Sequence, residues 1–232
     1  MTIPRIIHQV WFQFAPDKPA TPPPEYDAMR QSWRDFHPGW EIKLWNEEMA
    51  LAFLRQFYPE AVAIFQGYKK PIMRVDSIRY FLLHHFGGVY VDVDTKCLQS
   101  LEPLINNRIV LVRDVTPVLL LNNGFMMSEP GHPLMARCCK NLYRTAMIGD
   151  AILATGPLYL ASHWLTSNNK EEIKILSVKT LKEYFDHRHD ASWTWIASWR
   201  KALDPDRRQH MTLEEVPCPL RFFLKGKVGN AM

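Results

Sequence analysis

The chain has 232 residues, 47% of them hydrophobic, enough to bury one sizeable core and too few for several large domains. A formal net charge of +4, with no basic stripe interleaved with aromatics, argues against a nucleic-acid binder; it suits an anionic small molecule or a weak membrane-surface contact. Four cysteines without CxxC spacing argue against a disulfide scaffold or a thiolate zinc site and read as free thiols in a reducing compartment.

The opening, MTIPRIIHQVWF, lacks a signal peptide's apolar stretch, and no apolar run reaches the ~20 residues that span a bilayer. The expectation is a soluble, cytoplasmic protein. Ile6 to Phe12 reads as a buried first strand, followed by the Pro-rich loop DKPATPPPEY. A helix is expected over Tyr26 to Phe36, closed by His37-Pro38-Gly39, and an alternating strand over Trp40 to Trp45. Asn46 is placed to cap a helix running to about Phe57, with Glu47 and Glu48 in its first turn. Another short helix is expected over Ala61 to Tyr68.

Met73 to Phe86 reads as a helix with Val75, Ile78, Leu82 and His85 or Phe86 on one face, stopped by Gly87. Val89 to Val93 reads as a buried strand. Further strands are expected over Arg108 to Arg113, Val118 to Ser128 (with a turn or bulge at NNGFMMS) and Ile173 to Val178. A helix opens at Pro133 and runs to Met147. ATGP leads into Leu158 to Leu165, Ser192 to Trp199 is aromatic and extended, and the chain after Asp204 is basic and irregular. Alternating strands and helices point to one α/β sheet domain with its ligand at the carboxyl ends of the strands.

The most informative stretch is VDSIRYFLLHHFGGVYVDVDT. Asp92 and Asp94, separated by one residue on a strand, would point to the same face. Side by side without a cation they repel, and one holds its proton; a hard divalent ion such as Mn or Mg removes the conflict and leaves positions for substrate phosphates. Acids after a strand are also common in solvated turns. The haloacid dehalogenase-like phosphatases use a similar D-x-D, but they need Thr or Val two residues after the second Asp, where this chain has Thr95 at once and then Lys96. Asp76 and Arg79, three apart, share a helix face; the same spacing describes an ordinary surface ion pair. His8 reads as a hydrogen-bonded core histidine. Trp11, near a strand's carboxyl end, is either core or a platform for a ring.

Taken in order, IPRIIHQVWF, W-E-x-KLWN, DSIRYFLLHHFGGVYVDVDT, NNGFMMSEPGHP, ATGP and a late SW pair resemble the sugar transferases of glycosyltransferase family 32, which includes initiating α-mannosyltransferases of fungi and bacterial capsular enzymes. The spacing of Asp76, Arg79, Asp92 and Asp94 is also similar to that of the large clostridial glucosylating toxins. The resemblance implies a GT-A fold: a Rossmann-like, nucleotide-binding mixed sheet flanked by helices in a single domain. That domain would occupy 1–204, with 1–100 mainly binding the nucleotide sugar and 101–204 supplying acceptor and closing loops; 205–232 would be a C-terminal extension packed on it.

It further implies Mn or Mg, a UDP- or GDP-sugar donor, a glycan or other hydroxyl acceptor, and retention of anomeric configuration. By position, Asp92 would approach the ribose, donor sugar or metal, and Asp94 would bind the metal directly. Asp76 and Arg79 would hold donor sugar hydroxyls, and Trp11 would stack on the base. Asn123 and Gly156 would line the sugar or acceptor side, and Ser198 and Trp199 would close over the diphosphate. Family members often carry histidines just before the final SW; here that stretch is ASWTWIASW, so His187 or His189 is the expected substitute as third ligand. The other functions weighed are a metal-dependent phosphohydrolase and a non-catalytic module that binds nucleotide sugars or glycans.

Overall fold

Strand alternation sorts this protein into two apolar layers about one sheet. A computed structural model describes residues 2–14, 17–114 and 121–187. In chain order the elements are β1 (Ile6–Val10), α1 (Asp27–Phe36), β2 (Glu41–Trp45), α2 (Glu47–Phe57), α3 (Val62–Gly67), α4 (Pro71–Phe86) and β3 (Gly88–Val91). Then come β4 (Thr95–Cys97), β5 (Ile109–Arg113), β6 (Leu121–Ser128), α5 (Pro133–Thr145), α6 (Ala151–Ala154), α7 (Pro157–Leu165), β7 (Ile173–Leu176), α8 (Val178–Tyr184) and β8 (Phe185–His187). Short 3-10 turns link several of them.

Six strands form a mixed sheet in the order β2-β1-β3-β6-β5-β7, and β4 pairs with β8 in a separate two-stranded ribbon. β1 runs parallel to β2 and β3, while β6 is antiparallel to both β3 and β5. Because successive strand side chains face opposite sides, Tyr90, Met126, Ile109 and Leu111 join the layer under α2, α4, α5 and α7. Val89, Val91, Phe125, Met127, Val110 and Val112 face the other layer, with Trp33 of α1 and Leu181 of α8. The pairing of β5 with β6 shifts register between Val110 and Val112, which is the irregularity anticipated at NNGFMMS.

Local chemistry explains the boundaries. The Asn46 side chain accepts from Met49 N at 2.8 Å and opens α2. Gly87 ends α4, its N–H donating to Leu83 O, and both Gly87 and Gly88 have positive φ, +66° and +90°. A Cβ on Gly88 would overlap the Ile6 carbonyl, so β3 lies against β1 only because no side chain is there.

Several expectations shift. α4 is buried on every side, Met73 and Val75 through Leu83 included, rather than along one face. The expected strand over Val89 to Val93 ends at Val91, so the two acids lie in a turn. The expected strand over Ile173 to Val178 stops at Leu176, because the Ser177 hydroxyl caps α8 by accepting from Thr180 N. Leu158 to Leu165 is helical. The start of the expected Val118 strand, Ser192 to Trp199 and the extension 205–232 lie outside the described residues. Among the described residues no helix is long and apolar enough to cross a membrane, and Cys97, Cys138 and Cys139 are free thiols.

Candidate active site

A single turn brings the two acids together. Thr95 N–H donates to Asp92 O at 3.2 Å, closing Asp92-Val93-Asp94-Thr95 directly after β3. The convergence expected from strand alternation is therefore produced by a four-residue turn. β4 then runs antiparallel to β8 with Thr95 opposite His187. That register carries the His187 imidazole over the turn: its Nε2 lies 3.1 Å from Asp94 Oδ1 and 3.9 Å from Asp92 Oδ2. One ligand atom from each of Asp92, Asp94 and His187 falls within 4.8 Å of the others. Two carboxylate oxygens and one imidazole nitrogen make a donor set suited to Mn or Mg. Burial alone would lower the His187 pKa, but the Asp94 hydrogen bond and the charges of Asp94 and Asp92 outweigh it and raise it.

Asp92 is held from behind. Tyr90 Oη donates to its Oδ1 at 2.8 Å, and Arg79 Nη1 stands 3.6 Å from the same oxygen. Burial pushes the Asp92 carboxyl upward, against Arg79 and with Asp94. Its Oδ2 lies over Gly124, where a Cβ would overlap it.

Asp76 and Arg79 form a pair on the buried helix α4, not at its surface. Arg79 Nη2 meets Asp76 Oδ1 at 2.7 Å, Arg79 Nη1 donates to Asn123 O at 2.6 Å, and the guanidinium covers the Tyr90 ring at 4.3 Å. Asp76 also accepts from Asn123 Nδ2 at 3.1 Å and from Thr155 Oγ1 at 3.3 Å. Burial pushes the Asp76 pKa up to about 6, while Arg79 and these hydrogen bonds hold it down. Arg79 therefore links Asp76, Asn123 and Asp92 into one charged network.

The remaining expected residues fall as follows. Trp11 lies one residue past β1, whose parallel pairing of His8 with Tyr90 sets it at the same carboxyl end of the sheet as Asp92. Its indole N–H donates to Pro19 O at 3.1 Å, and its ring is 6.0 Å from that of Tyr26. Asn123 joins the network. Gly156 is buried against α6, where a Cβ would come within 2.9 Å of Ile152 Cα; its neighbour Thr155 is what touches Asp76. Ser198, Trp199 and His189 lie outside the described residues. Thr155, Tyr90 and Gly124 were not singled out from sequence. Thr155 precedes Gly156 in the ATGP run, Gly124 follows Asn123, and Tyr90, in the GGVYV run, stands two residues before Asp92, so the signal was present in each motif. His8 is the buried histidine anticipated: Trp45 Nε1–H donates to its Nδ1 at 3.2 Å, and its Nε2–H donates to Gly87 O at 3.0 Å.

A mixed sheet flanked by helices, with an aspartate turn at its carboxyl end, is a GT-A-like arrangement. Residues 23–111 match the model of the glycosyltransferase sugar-binding region containing DXD motif. The chain is 35% identical over 205 residues to mannosyl phosphorylinositol ceramide synthase SUR1 of Saccharomyces cerevisiae, covering 85% of this chain and 52% of that protein. It is 33% identical over 208 residues to inositol phosphoceramide mannosyltransferase 2 of Schizosaccharomyces pombe, covering 82% of this chain and 58% of that one. The chain thus spans a little over half the length of these relatives. Among solved structures, PaToxG glycosyltransferase shares the fold with a TM-score of 0.57 at 14% identity, over 88% of this chain and 80% of that one. A DXD glycosyltransferase region of this kind implies a nucleotide-sugar donor and a divalent metal.

Proposed function

We propose that the protein is a metal-dependent glycosyltransferase that moves a sugar from a nucleoside diphosphate sugar to a hydroxyl acceptor with retention. The observation that carries this reading is the convergence of Asp92, Asp94 and His187 on one point, beside the buried Asp76–Arg79–Asn123 network. Asp92, Asp94 and His187 would hold Mn or Mg. A divalent cation there offsets the negative charge that appears on a departing diphosphate. Asp76, kept in place by Arg79, Asn123 and Thr155, supplies negative charge against the positive charge developing on the sugar ring. Trp11 offers a flat face to the base. The anomeric carbon–phosphate oxygen bond breaks, the acceptor oxygen bonds to the same face of that carbon, and the acceptor proton passes to a phosphate oxygen of the leaving group.

The relatives' names make mannose the first donor sugar to test and inositol phosphoceramide the first acceptor. The test is a panel of UDP- and GDP-sugars with Mn or Mg, scored for thermal shift and for released nucleoside diphosphate, with and without phosphoinositol-bearing acceptors. Turnover that needs the metal and falls at least about 100-fold in Asp94→Asn is expected. Binding without turnover when acceptors are supplied would instead mark a binding module, and phosphate release from simple esters a phosphohydrolase.

A further inference from the structure

A cavity of about 480 Å3 lies between α3, α4 and α5. Its size falls within the ~300–1,000 Å3 of ligand pockets. Phe65, Phe81 and Leu142 give it an apolar body, and exposed Lys140 and Tyr143 stand at its edge with Glu60. Tyr68 and His84 also line it, with the Tyr68 hydroxyl and His84 Nδ1 enclosed within its wall and without hydrogen-bond partners among the described residues.

The cavity is oriented relative to the charged network. Gly131 N–H donates to His84 O, placing the start of α5 at the end of α4, so the two helices run antiparallel. The other end of α5 is tied to α6 by Thr145 Oγ1 donating to Ala154 O, and the next residue, Thr155, reaches Asp76. The C-terminal end of α5 therefore stands on the Asp76 side of the molecule. There Tyr143 is 54% exposed, and just beyond it Met147 and Ile148 are 89% and 38% exposed. Exposed Lys140 and Arg144 flank them, and Lys69 and Lys70 sit where the chain leaves Tyr68 to enter α4. Protruding apolar side chains ringed by cations are the pattern of a surface that enters a bilayer interface with anionic lipid.

We propose that this cavity holds an acyl chain of an anionic bilayer lipid, entered past Tyr143, with Met147 and Ile148 seated among neighbouring chains. The chain runs along Phe81 toward Cys139, and Lys140 and Arg144 face the phosphate. This adds a membrane-facing surface to the transfer reading above, and binding is measured without transfer.

The test is flotation of the full chain with phosphatidylcholine vesicles containing or lacking phosphatidylinositol. Wild type should float with the anionic vesicles, and Met147→Glu/Ile148→Glu, altered only at exposed positions, should not. Cys139, which lines the cavity, reads chain entry without mutation: its alkylation by N-ethylmaleimide should slow several-fold with phosphatidylinositol vesicles. Ala136→Phe, which fills the cavity, should still float but bind a fluorescent-acyl phosphatidylinositol about tenfold more weakly. Failure of wild type to float, or Cys139 alkylation unchanged by vesicles, overturns the proposal. So does a concentration-dependent dimer in lipid-free buffer that the Met147→Glu/Ile148→Glu pair abolishes, since a second copy would then cover this face. Donor hydrolysis in lipid-free buffer is scored separately. Hydrolysis intact with no lipid binding sinks this proposal alone, and lipid binding intact without metal-stimulated hydrolysis sinks the transfer reading alone.

Discussion

At the scale of single residues, Gly124 has room for hydrogen only. An added Cβ would overlap Asp92 Oδ2 and come within 2.9 Å of Asn122 Oδ1, so the Asp92 carboxylate would have to turn away from Tyr90 and Arg79. Gly124→Ala should therefore lower Mn affinity at least about tenfold by calorimetric titration, while the melting temperature moves only a few degrees. A purely structural role for Gly124 would reverse that order. His8 makes a different prediction, away from the charged network. Burial holds its pKa down at about 4, against an ordinary 6.5. A base depressed in the fold contributes stability that is complete above the unfolded pKa and is lost as pH falls toward the folded one, because the unfolded chain takes up the proton first. Between pH 7 and pH 5 this costs about 2 kcal/mol. His8→Gln should flatten that part of the urea-midpoint profile, and equal slopes for the two proteins would refute the assignment.

Elements carry the next set of consequences. Tyr80 donates to Thr155 O at 2.7 Å and so ties α4 to the α6–α7 corner that supplies the Thr155 hydroxyl to Asp76. Tyr80→Phe should cost about 1–3 kcal/mol in urea unfolding, since the buried carbonyl loses its donor. α2 was readable from Asn46, its two glutamates and its apolar spacing, and α4 with its glycine stop was equally plain. The Asp76–Arg79 spacing likewise disclosed a shared face, because three residues on a helix fix direction without help from elsewhere. What the letters did not disclose is non-local. β4 and β8 are three residues each, too short to show a period, and their pairing joins positions 95 and 187. The turn at Asp92 looks like the tail of a strand until Asp92 O is seen accepting from Thr95 N. Thr155 escaped notice beside Gly156 because only the packing of α6 against α7 decides which of the two meets Asp76.

For the whole molecule, ligand binding should register as added stability. A nucleoside diphosphate sugar with Mn, at about 100 times its dissociation constant, adds roughly 2.7 kcal/mol to unfolding. That shift should appear as a raised melting temperature in wild type and vanish in Asp94→Asn, whereas a shift that survives the substitution would place the nucleotide elsewhere. The His187–Asp94 contact, spanning 93 residues of sequence, has one more consequence. During synthesis both aspartates leave the ribosome long before the imidazole that faces them. A nascent chain halted near Tyr184 would carry both acids without His187, so under the proposed reading the third ligand joins them only when β8 pairs with β4.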